Sequence, residues 1–236
     1  MYYQTLLQRF GPQHWWPARS RLEVIVGAVL TQNTSWRNVE KAIARLRQEG
    51  LLQHRPLLNA SLPALESCIR PAGYYRQKAR VIKEFVTYLE RRFGGSLHRL
   101  FRLPMMECRT QLLSLKGFGP ETVDSVLLYA GGYAVFVSDA YTRRILSRHH
   151  RLPRDADYAE TQAIIHRNLE PDRALYNEFH ALFVTTAKTY CHLRNPNCAE
   201  CPLEPDLPPL NERLYPASAK ALPREIDRQV QRGEPE

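Results

Sequence analysis

The sequence predicts an all-α protein, built as one large domain or as two lobes, on three observations. Apolar residues recur at helical spacing over three long stretches, the two-residue alternation of half-buried strands is scarce, and the stretches end in helix start and stop residues. The first stretch is 22-LEVIVGAVLTQNTSWRNVEKAIARLRQEG-50, closed by Gly50. Ser61 with Pro63 opens the next helix, because a serine hydroxyl accepts from first-turn amides and a proline there has no amide to leave unpaired. The second long stretch, 78-KARVIKEFVTYLERRF-93, is stopped by Gly94-Gly95, and the third is 122-TVDSVLLYA-130. Two proline- and acid-rich segments, 152-LPRDADYAE-160 and 202-PLEPDLPPLNERLYP-216, read as connectors. One folded unit is expected over residues 1–207, with a mobile tail over 208–236, where charge is high and apolar periodicity low.

The 236 residues include 33 Lys+Arg against 24 Asp+Glu, a formal net charge of +9. Such an excess favours a polyanionic partner through counterion release and steering, with nucleic acid the leading candidate and a merely solubilising charge the alternative. The apolar run 22-LEVIVGAVL-30 is too short to cross a bilayer, and the opening MYYQTLLQRF lacks the basic-then-apolar layout of a signal peptide. No membrane partner is expected, and the expected location is cytoplasmic, nucleoid-associated in a prokaryote. Cys191, Cys198 and Cys201 crowd together as C-x6-C-x2-C, whereas Cys68 and Cys108 stand alone. The cluster reads as a metal site rather than as disulfide framework.

The segment 115-LKGFGPETVDSVLLYAGGYAVFVSDAYTRRIL-146 carries the most chemistry. Gly117, Phe118 and Gly119 suggest a tight turn that presents amide N–H groups ahead of a helix, a layout able to hold a phosphate. A glycine-rich turn packed only for shape is the alternative. Eighteen positions beyond Glu121 stands a lone acid, Asp139, followed by a basic run. Asp139 suits a helix N-cap ahead of 140-AYTRRIL-146 and also suits a catalytic carboxylate, and the two roles are compatible.

This segment resembles the helix-hairpin-helix motif and following aspartate of the DNA glycosylase superfamily that contains endonuclease III, with the hairpin at about 108–131 and a likeness extending over roughly residues 10–205. The resemblance implies a two-lobed helix-hairpin-helix glycosylase fold with a C-terminal cysteine loop at 191–201, acting as a monomer on double-stranded DNA that contains damaged bases. It implies phosphate binding by Gly117, Phe118 and Gly119, and catalysis by Asp139. Breaking an N-glycosidic bond builds positive charge on the sugar, which a nearby carboxylate stabilises. At Glu121, bifunctional relatives carry a lysine that attacks the sugar through a Schiff base, which a glutamate cannot form. A base-releasing enzyme without lyase activity follows, unless Lys116, Lys188 or another amine substitutes.

The resemblance further implies that Gln32, in 30-LTQNTSW-36, fills the gap left by an extruded base and that Tyr74, in 72-AGYYRQKA-79, wedges the stack. The pattern 14-HWWP-17 with 27-GAVLTQNTSW-36 is most similar to the 3-methyladenine DNA glycosylases of the MagIII type. In that branch Trp15, Trp16, Pro17 and Trp36, with Glu121, would line a base pocket suited to a cationic methylated purine. The alternative for the tryptophans is that they cover a helical core, and His180 is open to the same two readings. An endonuclease III-like lyase, a mismatch uracil/thymine glycosylase and a non-catalytic damage-binding protein are the rival functions.

Endonuclease III relatives hold a [4Fe–4S] cluster with C-x6-C-x2-C-x5-C, and here the fourth position is Leu207. Four outcomes remain open: an iron–sulfur cluster with a non-cysteine fourth ligand, a three-iron cluster, zinc on three thiolates plus His192, or no metal. The cluster is the favoured expectation. In any of the metal-bound forms, the loop would present Arg194 toward the DNA backbone.

Overall fold

Residues 2–208 are described by a computed structural model, and among them there are helices and turns but no strand. The expected tail, beyond its first residue, lies outside the described residues. The chain divides into two units: a central one, residues 18–131, and a terminal one, in which residues 2–17 join residues 132–208.

In the central unit the first expected helical stretch is two helices, α2 (Arg21–Leu30) and α3 (Trp36–Gln48). The helical spacing of apolar residues runs on through the break, but 31-TQNTS-35 is entirely polar, and Asn33 takes a left-handed φ of 52°. The Ser20 hydroxyl caps α2 by accepting from Glu23 N at 3.1 Å. Then follow α4 (His54–Asn59), α5 (Leu62–Ile69, capped by Ser61), a 3-10 turn at Arg70–Ala72, and α6 (Tyr75–Phe93), which ends at Gly94 with φ 60°. Nearly all of α2 is buried, Ile25, Val29 and Leu30 among it, and the rest of the core comes from one face of each of the others: Val39 and Leu46 of α3, Leu57 of α4, Leu65 and Ile69 of α5, Ile82, Phe85 and Leu89 of α6. Each contributes about 1.5–3 kcal/mol by leaving water. After the short α7 (Leu97–Leu100) come α8 (Met105–Leu113) and α9 (Pro120–Ser125), the latter continuing as a wider π-type turn through Val126–Gly131.

The terminal unit packs α1 (Tyr2–Phe10) and α10 (Ala140–Arg148) on α12 (Arg173–Thr189). Its centre is aromatic: Phe179 and Phe183 stack at 4.4 Å, and the Phe136 ring meets both, and Tyr176, edge-on. The N-terminal helix is tied in by Arg9, which donates to the Tyr190 hydroxyl at 2.7 Å, and by Tyr2, whose hydroxyl donates to Asp206. The segment 152–160, expected to be a connector, instead starts helix α11 (Tyr158–Asn168) through a reciprocal cap. Asp157 accepts from Glu160 N and Glu160 accepts from Asp157 N, both at 2.8 Å.

Candidate active site and DNA-binding turn

The α8–α9 hairpin is built around a glycine whose replacement would strain both backbone and packing. Gly117 has φ 87°, and a Cβ there would lie 2.4 Å from Val81 Cγ2 on α6. Phe118 is buried, its ring 5.7 Å from that of Phe85 and nearly parallel to it. Its N–H donates to Leu115 O at 3.1 Å, so Phe118 anchors the turn instead of presenting its amide as expected. Among the described residues neither the Gly117 nor the Gly119 amide donates to a backbone carbonyl. Gly119 is the residue before the first turn of α9, and the space where its Cβ would stand is open. The two helices are stitched by a wholly buried carboxylate, Asp124, which accepts from Arg109 Nε at 2.7 Å and Nη2 at 3.2 Å. Such a forked, charge-assisted pair fixes orientation as well as distance. Glu121 stands exposed in the first turn of α9.

Gln32 sits in the turn between α2 and α3 and reaches this hairpin. Its Nε2 donates to Gly117 O and to Thr122 Oγ1, both at 2.9 Å. Tyr74 occupies a different loop of the central unit, with φ 44° and half its surface exposed, directly after Gly73 with φ 67°. A large ring on a left-handed turn is held away from the core by the backbone itself. Lys78 joins the roots of the two loops: its buried Nζ donates to Leu30 O at 2.9 Å and to Ala72 O at 2.8 Å. Burial pushes its pKa down to about 8. Nothing in the sequence marked Lys78, since its partners are backbone carbonyls. Trp36, half-buried, begins α3.

In the terminal unit Asp139 is the N-cap of α10, accepting from Thr142 N at 2.8 Å through Oδ1. Its Oδ2 lies 3.4 Å from His180 Nε2 on α12. Burial acts to raise the Asp139 pKa, but the His180 imidazole beside it and the bonds from Thr142 outweigh it, so the carboxyl is held below its ordinary value and stays ionised. The His180 ring in turn packs 5.6 Å from that of Trp15, which stacks beside Trp16 at 6.1 Å. His180 is thus both a core residue and the partner of the acid. Trp15 and Trp16 are half-buried and Pro17 is exposed. The terminal unit therefore brings the carboxylate, a histidine and the tryptophan pair into one chain of contacts.

The far end of α10 holds the cysteine loop. Arg144 Nε donates to Cys191 O at 2.8 Å, and Arg148 donates to Cys191 Sγ at 3.1 Å, His192 O at 2.6 Å and Leu193 O at 2.9 Å. Cys191, Cys198 and Cys201 line one cavity together with His149 and Leu207. Among the described residues no three His, Cys, Asp or Glu side chains converge as a single ion requires. Tetrahedral zinc would need its donors about 2.0–2.3 Å from one point, and His192, the expected zinc partner, is exposed and lines no part of the cavity. A cubane cluster instead spaces its thiolates, one per iron, around a shared volume, and thiols around a common cavity suit that donor layout. His149 lies buried 3.5 Å from Asp206, and burial lowers its pKa against the opposing pull of that carboxylate.

Residues 26–171 match the family model described as the HhH-GPD superfamily base excision DNA repair protein. The chain is 42% identical over 203 residues to a Methanocaldococcus jannaschii protein provisionally named a DNA repair glycosylase, covering 86% of this chain and 92% of that one. Among solved structures, it is similar to a Helicobacter pylori 3-methyladenine DNA glycosylase (MagIII) bound to 1,N6-ethenoadenine (TM-score 0.69, 26% identity, 79% of this chain and 95% of that one). The fold is also that of endonuclease III in a non-covalent DNA complex (TM-score 0.75, 21% identity, 98% of this chain and 95% of that one). No helix among the described residues is long and apolar enough to cross a membrane. An all-helical architecture, a glycine hairpin ahead of an N-capping aspartate, and a match over most of the chain lead to one assignment: this chain belongs to the HhH-GPD superfamily of base excision DNA repair proteins and is a DNA glycosylase.

Proposed function

We propose that this glycosylase is monofunctional and, as a monomer, releases alkylated purines of the 3-methyladenine type from damaged duplex DNA. The observation that carries the first part is Glu121, exposed in the first turn of α9 where lyase relatives carry an attacking lysine. A carboxylate cannot make a Schiff base, so water is the nucleophile. As the C1′–N bond breaks, its electron pair leaves with the base, and ionised Asp139 stabilises the positive charge that develops on the sugar. Water then bonds to C1′ and gives up a proton to the surrounding solvent. A methylated purine is already cationic and leaves as a neutral base, so modest acid catalysis suffices.

Support for the purine class is the tryptophan pair, whose Trp15 ring reaches Asp139 through His180. Aromatic faces attract a cationic base more than its neutral counterpart. In this reading Gln32 and Tyr74 open the stack, and the Gly117 and Gly119 amides hold a phosphate. An iron–sulfur cluster on Cys191, Cys198 and Cys201 would supply a rigid cross-link for the loop that carries Arg194.

The test is base release from duplexes carrying 3-methyladenine, uracil or an oxidised pyrimidine, scored before and after alkali and with borohydride trapping. Release of methyladenine with strand breaks only after alkali is expected. Direct cleavage with a trapped protein–DNA adduct would make the protein a lyase and remove the argument from Glu121. Preferential release of uracil or thymine from mismatches would remove the purine class.

A further inference from the structure

The loop supplies three thiols where a cubane has four irons, and position 207, where a fourth cysteine would complete the spacing, is leucine. We infer that His149 is the fourth ligand, so that the cluster is held by Cys191, Cys198, Cys201 and an imidazole nitrogen. This rests on the iron–sulfur reading proposed above.

His149 is the residue that ends α10, directly after Arg148. It lines the same cavity as the three cysteines and Leu207, and only 6% of the residue is exposed. Its Nδ1 is buried with no well-formed hydrogen bond, 3.5 Å from Asp206 Oδ2. A histidine that binds metal through one ring nitrogen turns the other toward a carboxylate, which fixes the tautomer and strengthens the donor. Asp206 is placed for that task and is itself fixed by Tyr2 and Arg151. The nitrogen left to ligate is Nε2. The chain position one before the missing cysteine thus carries the carboxylate that would orient the replacement ligand.

Other candidates fail on position. His192 is exposed and outside the cavity, and the Asp206 carboxylate is engaged by Tyr2 and Arg151. Two features of the loop then set the cluster's electronics. A neutral imidazole in place of a thiolate makes the cluster less negative, and Arg148 donates to a ligating sulfur at 3.1 Å. Both shift the reduction potential upward relative to a four-thiolate cluster.

The experiment uses the full chain, purified and reconstituted without oxygen, with iron and acid-labile sulfide counted per chain and the reduced cluster observed by pulsed electron paramagnetic resonance after labelling histidine with nitrogen-15. About four irons and four sulfides per chain, with a strong coupling to one histidine nitrogen, are expected. His149→Ala should lose the coupling and shed iron. His149→Ala combined with Leu207→Cys should recover the iron without the coupling and lower the reduction potential, which separates loss of a ligand from loss of the fold. A cluster that shows no histidine coupling, or that keeps all its iron in His149→Ala, overturns the assignment of His149 while leaving the cluster reading intact. A three-iron cluster in the wild type overturns the fourth ligand itself, and no iron at all overturns the cluster reading and this inference together. None of these readouts depends on base release.

Discussion

Asp139 Oδ2 lies 3.4 Å from His180 Nε2, and this contact helps keep a buried carboxyl ionised. Asp139→Asn is expected to lower base release about 100- to 1000-fold, the range for removing one preorganised electrostatic group. The helix cap itself should persist, because asparagine caps a helix as well as aspartate, so the melting temperature should fall only by the ionised carboxylate's own contribution. Single-turnover base release and calorimetry on the same preparation check both statements.

The acidity of this carboxyl has a direction that can be measured. Its folded pKa lies below the ordinary 3.8, so its contribution to stability is present above that value and is lost as pH falls through the folded pKa. The acid limb of the activity profile should lie below 3.8 for the same reason, provided the chain stays folded there. In His180→Phe the ring still packs on Trp15, but burial, which raises the pKa, is opposed by Thr142 alone. That limb should then move to higher pH; an unmoved limb would remove His180 from the site.

The two hairpin glycines separate fold from binding. Gly117→Ala combines an unfavourable φ with a collision against Val81 and is expected to cost about 3 kcal/mol. Gly119→Ala meets no protein atom, so stability should hold within about 0.5 kcal/mol. Its methyl group would stand where a phosphate approaches, weakening DNA binding and flattening the salt dependence by about one phosphate contact.

Gln32 and Tyr74 are expected to matter for duplexes and hardly at all for single strands. Gln32→Ala and Tyr74→Ala should each lower release from a paired lesion about tenfold, since unstacking costs a few kcal/mol and these side chains would offset part of it. A lesion in a single strand needs no opening. Equal losses on both substrates would assign the residues to folding instead.

Lys78 gives a prediction at high pH. Its folded pKa of about 8 lies below the ordinary 10.5, so between those values the native chain binds fewer protons than the unfolded one, and stability rises with pH. Lys78→Met removes this slope, and at neutral pH the cost of leaving the Leu30 and Ala72 carbonyls unpaired, about 2 kcal/mol, is opposed by relief from burying a charged amine, so the net change there should be small. Denaturant titrations of both proteins from pH 7 to about 10.5 read the difference.

What could be read from residues alone followed how local the chemistry is. Ser61, Gly94 and Asp139 end or begin helices through bonds to residues three or four positions away, and all three were legible. The Asp157–Glu160 cap is equally local, but the prolines and acids around it suggested a connector. The break at 31–35 was hidden because helical spacing happens to continue across it. Contacts across the fold left no local trace: Lys78 to Leu30, His180 to Asp139 and Arg109 to Asp124 each need the packed structure to become visible. The Phe118 amide misled for the opposite reason, since a turn that presents donors must spend one of them on closing itself.

The terminal unit is closed by the two ends of the described chain, with Tyr2 bonded to Asp206 and Arg9 to Tyr190. During synthesis residues 18–131 emerge as one continuous piece and complete their core while the first helix still waits for α12. A message cut short before Arg173 would therefore encode the hairpin, Gln32 and Tyr74, yet leave Asp139 without His180 and α1 without its partner helix. Such a fragment would retain the groups proposed to grip DNA and lack the completed catalytic unit, so it would occupy damage and shield it from repair.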